Sequence, residues 1–140
     1  MKLTVHIDGG SRGNPGPAGA GVVVRAGDDG TVLIEKGLFL GNATNNVAEY
    51  RGLLAGLEAA ATLGATDVEV YSDSELLVRQ MNGQYRVKNA GLKPLYEEAR
   101  RLASAFDRCA CTHVRRERNT EADKLVNKAL DRKRDVDGDD

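Results

Sequence analysis

LTVHIDGGSRGNPGP, residues 3–17, is the stretch that decides the fold. Leu3, Val5 and Ile7 alternate with polar residues, which predicts a β-strand, and a glycine-rich loop follows. Asp8 is therefore predicted at the end of this strand, where its carboxylate can reach a cleft. Taken alone, an Asp before two glycines is usually an Asx-turn residue. The glycine spacing matches neither a P-loop nor a dinucleotide-binding loop, so Asp8 needs partners elsewhere to indicate a function.

Four further segments have the composition of strands. Residues 19–26 (GAGVVVRA) and 31–40 (TVLIEKGLFL) are joined by GDDG at residues 27–30, which predicts a hairpin. Residues 67–71 (DVEVY) and 109–114 (CACTHV) are predicted as the fourth and fifth strands.

A long helix is predicted over residues 45–63, because apolar residues recur there at spacings of three and four and Gly64 follows. Glu49, Gly52 and Gly56 form a second stripe on this helix. The two glycines would let the helix lie close to a sheet with Glu49 facing it. The alternative is an ordinary exposed helix glutamate.

Two more acidic residues stand at predicted helix starts. Asp73 opens a helix predicted over residues 72–81, and Asp123 lies in the first turn of a final helix predicted over residues 120–133. Each position also has a local explanation, since Ser72 with Glu75 and Thr120 with Asp123 have the spacing of helix caps, and acidic residues stabilise helix N-termini. One further helix is predicted over residues 92–106.

The element order β-β-β-α-β-α-α-β-α predicts an α/β fold, in which functional residues collect at the carboxyl ends of parallel strands. Asp8 and Asp73 are predicted at such ends, and Glu49 and Asp123 lie on helices that could face them. Carboxylates repel one another, so a cluster of them favours hard cations such as Mg²⁺ or Mn²⁺. A pair of such ions is typical of in-line phosphoryl transfer.

Composition indicates one soluble domain. The chain has 140 residues, of which 41% are hydrophobic and 29% charged. We expect the domain to span residues 1–133 and the acidic residues 134–140 to be a disordered tail. No apolar run approaches the roughly 18 residues of a membrane span, and no signal pattern begins the chain, so the expected location is the cytoplasm.

Charge is distributed unevenly. Residues 1–78 carry 5 basic and 10 acidic side chains, whereas residues 79–134 carry 15 basic and 7 acidic ones. This asymmetry suits a polyanion held against a metal site, although a solvated charged surface would give the same counts. Cys109, Cys111 and His113 share one face of a predicted strand, where strand packing or a soft metal site is conceivable.

Four motifs together identify a family. They are IDGGSRGNPGPAGAG, ATNNVAEYRGLLAGL, VYSDSELLV and HVRRERNTEADKLVNKAL. In this order they resemble the type 1 ribonuclease H family, in the form that lacks a basic protrusion, up to about residue 133. The resemblance implies a ribonuclease H-like fold, with a five-stranded mixed sheet that has an antiparallel hairpin and is flanked by helices. It also implies endonucleolytic cleavage of the RNA strand of RNA–DNA hybrids, leaving 5′-phosphate and 3′-hydroxyl ends.

The resemblance also assigns roles to the four acidic residues. Asp8 would contact both metal ions, and Asp123 would help to hold the ion that positions the attacking water. Glu49 and Asp73 would hold the ion beside the leaving 3′-oxygen. The family recognises RNA through its 2′-hydroxyls, and the matching substrate positions are Ser11, Gly13, Asn14, Asn45 and Glu49 for the RNA strand, Thr44 for a DNA phosphate, and Glu75, where some relatives have Gln.

Two departures from the family pattern matter. Many bacterial members have a His in the loop before the last helix, whereas His113 here is predicted to lie in the preceding strand. Arg116 is the candidate substitute, or else a phosphate contact. Some relatives carry a basic, Trp-containing protrusion between the helices that follow Asp73, whereas this chain has no Trp and only a short connection there. We therefore expect Arg86, Lys88 and Lys93 to bind the hybrid, with weaker and strongly salt-dependent affinity.

Three alternatives remain. The first is another metal-dependent nuclease of the same fold that cuts DNA or double-stranded RNA. The second is a non-catalytic hybrid-binding module, and the third is a nucleotide-binding phosphotransferase. The fold alone does not separate them. We expect a monomer whose partner is an RNA–DNA hybrid, without a membrane contact.

Overall fold

The computed structural model describes the whole chain, Met1–Asp140, as a mixed sheet with helices on both faces. The strands are β1 (Lys2–Ser11), β2 (Gly16–Ala26), β3 (Val32–Ala43), β4 (Asp67–Ser72), β5 (Arg108–His113) and β6 (Val136–Asp137). The helices are α1 (Asn45–Thr62), α2 (Glu75–Met81), α3 (Lys93–Ser104) and α4 (Thr120–Arg132), with a 3₁₀ turn at Arg116–Arg118.

Strand order in the sheet is β5-β4-β1-β2-β3-β6. The pairs β1–β4 and β4–β5 are parallel, and β1–β2, β2–β3 and β3–β6 are antiparallel. The predicted ribonuclease H-like α/β architecture, with its antiparallel hairpin, is therefore confirmed. None of the helices is both long enough and apolar enough to cross a membrane.

The prediction of five strands is wrong, because the chain's last residues add a sixth. Val136 pairs with Gly37 in β3 and is only 5% exposed. A side chain at Gly37 would lie 2.7 Å from Val136, so the glycine makes room for it. The backbone N–H of Phe39 also donates to Asp135, at 2.8 Å. The predicted disorder of residues 134–140 is therefore wrong for β6, since the stretch contains one buried apolar residue.

Alternation along β2 separates the two layers of helices. Val22 and Val24 belong to the main core, which α1 covers, and Val23 packs with Ala122 and Leu125 of α4. Neighbouring residues of a strand face opposite sides, so α1 and α4 lie on opposite faces of the sheet. The carboxylate of Glu49 and that of Asp123 therefore approach β1 from different sides.

Two differences from the predicted boundaries bear on the site. β1 does not end at Asp8: its antiparallel pairing with β2 continues to Ser11, and only its parallel pairing with β4 stops at Ile7. Helix α2 begins at Glu75, because the hydroxyl of Ser74, not Ser72, accepts the capping hydrogen bond from Leu77.

Candidate active site

The first two carboxylates are brought together by the parallel strands β1 and β4. Ile7 pairs with Ser72 at the last position of this ladder, and each is followed by an aspartate. Asp8 and Asp73 therefore lie side by side at the point where the parallel pairing of β1 with β4 ends. Asp8 is only 7% exposed, which is unusual for a carboxylate without an ion pair.

Glu49 reaches this point because helix α1 lies unusually close to β1. A Cβ at Gly9 would lie 2.3 Å from the carbonyl carbon of Ala48, and one at Gly52 would lie 3.0 Å from the carbonyl oxygen of Asp8. Ligand oxygens of Asp8, Glu49 and Asp73 all lie within 4.8 Å of one another. The predicted small-residue stripe and the inward orientation of Glu49 are thus found.

Asp123 joins the same cleft from the other face of the sheet. A Cβ at Gly21 would lie 2.1 Å from the carbonyl oxygen of Ala122, so only glycine lets α4 approach β2 this closely. Asp123 lines the cleft with the other three acids but lies outside their 4.8 Å group. The four predicted acidic residues therefore converge, three tightly and one more loosely.

The cleft has a volume of about 370 Å³, and the carboxylates that line it repel one another. Burial, with the charges of Asp73 and Asp123, raises the pKa of Asp8 to about 8. Burial, with the charges of Asp8 and Asp73, raises the pKa of Glu49 to about 9, and the Arg116 guanidinium opposes this rise. Oε2 of Glu49 is buried without a hydrogen-bond partner. A bound cation would satisfy this oxygen and relieve the repulsion.

Three predicted substrate residues form a hydrogen-bonded group beside the acids. The backbone N–H and the hydroxyl of Ser11 donate to Oδ1 of Asn45, at 2.8 and 3.1 Å. The backbone N–H of Asn45 donates to Oδ1 of Asn14, at 3.1 Å. The glycine-rich loop is thereby fastened to the first turn of α1, one turn before Glu49.

The other predicted substrate residues occupy varied positions. Arg116 lines the cleft. Gly13 has a positive φ of 88°, as the turn of the loop requires. The Thr44 hydroxyl accepts a hydrogen bond from Val47 and caps α1. Glu75 pairs with Arg79 at 2.8 Å and does not line the cleft.

Sequence reasoning missed three polar residues at the site. Arg12 and Asn127 line the cleft, and the buried Asn119 donates a hydrogen bond to the carbonyl of Ile7, next to Asp8. Asn119 immediately precedes α4, a position that favours Asn, and this was the available signal. Arg12 and Asn127 lie on solvent-exposed positions with no pattern to single them out.

The possible soft metal site on β5 is not formed. Cys109 and Cys111 are free thiols that pack against the main core, and His113 at the end of the strand is exposed. Burial raises the pKa of both thiols, as expected for inert packing residues.

Comparison with known proteins gives a consistent result. Residues 6–129 match a family model described as reverse transcriptase-like. The bifunctional protein Rv2228c of Mycobacterium tuberculosis is 55% identical over 131 residues, which are 94% of this chain and 36% of that protein. This chain thus spans about a third of the length of its mycobacterial relatives.

Two solved structures agree with the fold over nearly all of their length. RNase H1 of the halophilic archaeon Halobacterium salinarum is 44% identical, with a TM-score of 0.91 over 94% of this chain and 99% of that one. LC11-RNase H1, isolated from compost by a metagenomic approach and solved in complex with an RNA/DNA hybrid, is 41% identical. Its TM-score is 0.88, over 94% of this chain and 98% of that one. By its sequence, its fold and its converging carboxylates, the chain belongs to the type 1 ribonuclease H family.

Proposed function

We propose that this chain is a metal-dependent endonuclease that hydrolyses the RNA strand of RNA–DNA hybrids and leaves 5′-phosphate and 3′-hydroxyl ends. The observation that carries the proposal is the convergence of Asp8, Glu49 and Asp73 within 4.8 Å, with Asp123 in the same cleft. No Ser, Cys or His that is hydrogen-bonded to a general base lines this cleft. The cleft therefore offers no protein nucleophile, whereas its carboxylates offer a cation site.

The donor set fits hard divalent cations. It consists of carboxylate oxygens alone, one of them buried without a partner, which favours Mg²⁺ or Mn²⁺ over softer metals. We assign two ions to the four acids. When bound, such ions supply electrostatic stabilisation to the attacking and leaving oxygens of an in-line displacement. Asp8, Asp73 and Glu49 would hold one ion between them, and Asp123 would share a second with Asp8.

Recognition of RNA follows from the hydrogen bonds of Asn45. Its Oδ1 accepts from Ser11, and its side-chain NH₂ group makes no hydrogen bond within the protein, so it is free to donate. The Ser11 hydroxyl donates its hydrogen bond to Asn45, so its oxygen remains available as an acceptor. Together the two side chains present a donor and an acceptor, which suits a ribose 2′-hydroxyl, itself both donor and acceptor.

A second surface would hold the hybrid farther from the acids. A hollow of about 750 Å³ is lined by Tyr85, Arg86, Lys88 and Lys93. Tyr85 is 49% exposed, and the Arg79 guanidinium lies 5.3 Å from its ring centroid. Basic side chains beside an exposed aromatic ring are typical of nucleic-acid contacts. This surface supports the expectation of salt-dependent binding and adds Tyr85 to it.

We further propose that the chain acts as a monomer in the cytoplasm. Both cysteines are free thiols, in keeping with a reducing compartment. The exposed large apolar side chains are few, and only Val32 and Leu33 are neighbours along the chain, which offers no broad apolar patch for self-association. They are Met1, Val32, Leu33, Leu76 and Tyr85.

The proposal is tested with a labelled RNA–DNA hybrid, alongside single-stranded RNA, double-stranded RNA and double-stranded DNA. Each is incubated with Mg²⁺, with Mn²⁺ or with EDTA. We expect cation-dependent cutting of the RNA strand of the hybrid, lost in Asp8→Asn and retained in Asp107→Asn, the same change at an exposed position. Cutting of another substrate with an intact hybrid would instead support the same-fold nuclease. Hybrid binding without cutting under either cation would support the binding module.

A further inference from the structure

Arg12 lies on the rim of the carboxylate cleft, and the resemblance to known ribonucleases H assigns it no role. Its backbone N–H donates to the carbonyl of Pro17 at 2.8 Å, which fixes the base of the residue within the loop. Its side chain is 49% exposed and reaches across to α4. There Nη2 donates to Oδ1 of Asp131 at 2.7 Å and to Oδ1 of Asn127 at 3.4 Å. Arg12 thus has a fixed backbone and an accessible guanidinium.

The pair between Arg12 and Asp131 is easily exchanged. The side chain of Asp131 is 65% exposed, and exposed ion pairs contribute little net stability because water screens both charges. A phosphate can accept two parallel N–H bonds from a guanidinium and carries a full charge. A phosphate that enters the cleft can therefore take the place of Asp131.

The cleft needs such a positive charge. A phosphodiester that approaches the four acids meets their negative field, and the basic side chains lining the cleft are Arg12 and Arg116 alone. The positive charge of Arg116 lowers the pKa of Glu49, which lies on α1. Arg12 is fastened to α4, the helix that carries Asp123, and it stands between two residues assigned to RNA contact, Ser11 and Gly13.

We propose that Arg12 binds a backbone phosphate of the RNA strand, and that Asp131 occupies the guanidinium in the free protein and competes with that phosphate. This inference depends on the proposed function. A purely structural role is the alternative, in which the pair with Asp131 merely anchors the loop to α4. The two roles differ in the sign of one effect: loss of Asp131 strengthens hybrid binding if it competes, and weakens binding if it anchors.

The test measures binding of a fluorescent RNA–DNA hybrid in the Asp8→Asn background, so that cleavage does not interfere. We expect Arg12→Ala to weaken binding about five- to tenfold and to reduce the slope of log K against log salt by about 1. Arg12→Lys should restore part of the loss, because it keeps the charge but not the bidentate geometry. Arg25→Ala, which removes an arginine paired with α4 away from the cleft, should have no effect.

Asp131→Asn should tighten binding about two- to threefold in the presence of Arg12 and should have no effect in Arg12→Ala. Glu121→Gln, on the same helix but paired with Arg25, measures the general effect of removing an acid. A neutral methylphosphonate linkage should abolish the Arg12 effect when it replaces the contacted phosphate of the RNA strand, and should leave it intact in the DNA strand.

Three results would overturn the inference. Unchanged binding in Arg12→Ala would show that Arg12 does not contact the hybrid. Weaker binding in Asp131→Asn would assign the pair to anchoring. Loss of the Arg12 effect only with neutral DNA linkages would place the contact on the other strand. A parent protein that binds no hybrid at all overturns the proposed function as well, which distinguishes the two failures.

Discussion

The side-chain amide of Asn119 donates a hydrogen bond to the carbonyl oxygen of Ile7, at 2.8 Å, across 112 residues of chain. Ile7 directly precedes Asp8, and the carbonyl of Asn119 accepts the backbone N–H of Asp123, at 3.2 Å. A single residue, 2% exposed, thus connects the strand of one acid of the cleft to the helix of another. The relative position of Asp8 and Asp123 depends on this connection.

Replacement of Asn119 by Ala should therefore impair both stability and activity. It leaves the Ile7 carbonyl buried without its donor, a loss of about 1–3 kcal/mol in the free energy of unfolding. We expect cleavage to fall at least tenfold in protein that circular dichroism shows to be folded. Urea unfolding and hybrid cleavage check the two effects. Asn82→Ala is the control, because it removes a similar hydrogen bond that the Asn82 side-chain amide donates to the carbonyl of Cys111 in an exposed position. This variant should leave cleavage unchanged, and an equal loss of cleavage there would contradict the role assigned to Asn119.

The cation-free protein should lose stability as the pH rises. The pKa of Asp8 rises from an ordinary 3.8 to about 8 in the folded state, so the folded protein holds this proton more tightly than the unfolded chain does. Ionisation between these values therefore costs the folded state free energy. In EDTA near pH 8, Asp8→Asn should raise the melting temperature by a few degrees, about 3–5 °C per kcal/mol for a domain of this size. Asp107→Asn is the control, and a lower melting temperature for Asp8→Asn would refute the prediction.

Cation binding should release protons and strengthen with pH. The pKa of Asp8 is raised to about 8 and that of Glu49 to about 9, so protons compete with the cation at neutral pH. Affinity for Mg²⁺ should rise up to about pH 9 and then level off. Calorimetry in buffers of different ionisation enthalpy counts the released protons. Glu49→Gln should reduce that count, and a count of zero in the unaltered protein would contradict the pKa shifts.

Substitution of Gly21 should displace α4. A Cβ there would lie 2.1 Å from the carbonyl oxygen of Ala122, a backbone atom that cannot move alone. We expect Gly21→Ala to cost about 1–3 kcal/mol and to lower cleavage, because Asp123 follows Ala122. Gly10→Ala, whose Cβ would meet nothing closer than 4.0 Å, is the control for stability. Equal unfolding midpoints for the two variants would show that α4 tolerates the shift.

Truncation of Val136 should reveal the sixth strand. The side chain is 5% exposed, so Val136→Ala removes two buried methyl groups and should cost about 1–2 kcal/mol. Val32, in β3, is 41% exposed, and Val32→Ala should cost less than about 0.5 kcal/mol. Denaturant unfolding compares the two, and an equally small effect at both positions would mean that β6 contributes nothing to stability.

Local patterns in the sequence determined most of the elements and all four acids. The alternation in residues 3–7 and the three-and-four spacing in residues 45–63 are properties of neighbouring residues, which a strand or helix expresses directly. Two departures from this were local as well: the capping of α2 by Ser74 and not Ser72, and the continuation of β1 past Asp8. Each depends on small differences in hydrogen bonding that propensity does not resolve.

Only the tertiary structure decided which groups meet. It placed Asp8, Glu49 and Asp73 within 4.8 Å and left Asp123 outside that group. It also joined Asn119 to Ile7, and it paired Arg12 with a residue 119 positions away. These contacts depend on how closely the helices approach the sheet, and this distance is set where the backbones pack against each other at glycines. The packing involves helices on both faces of the sheet that are distant in the chain, so no short window of sequence contains it.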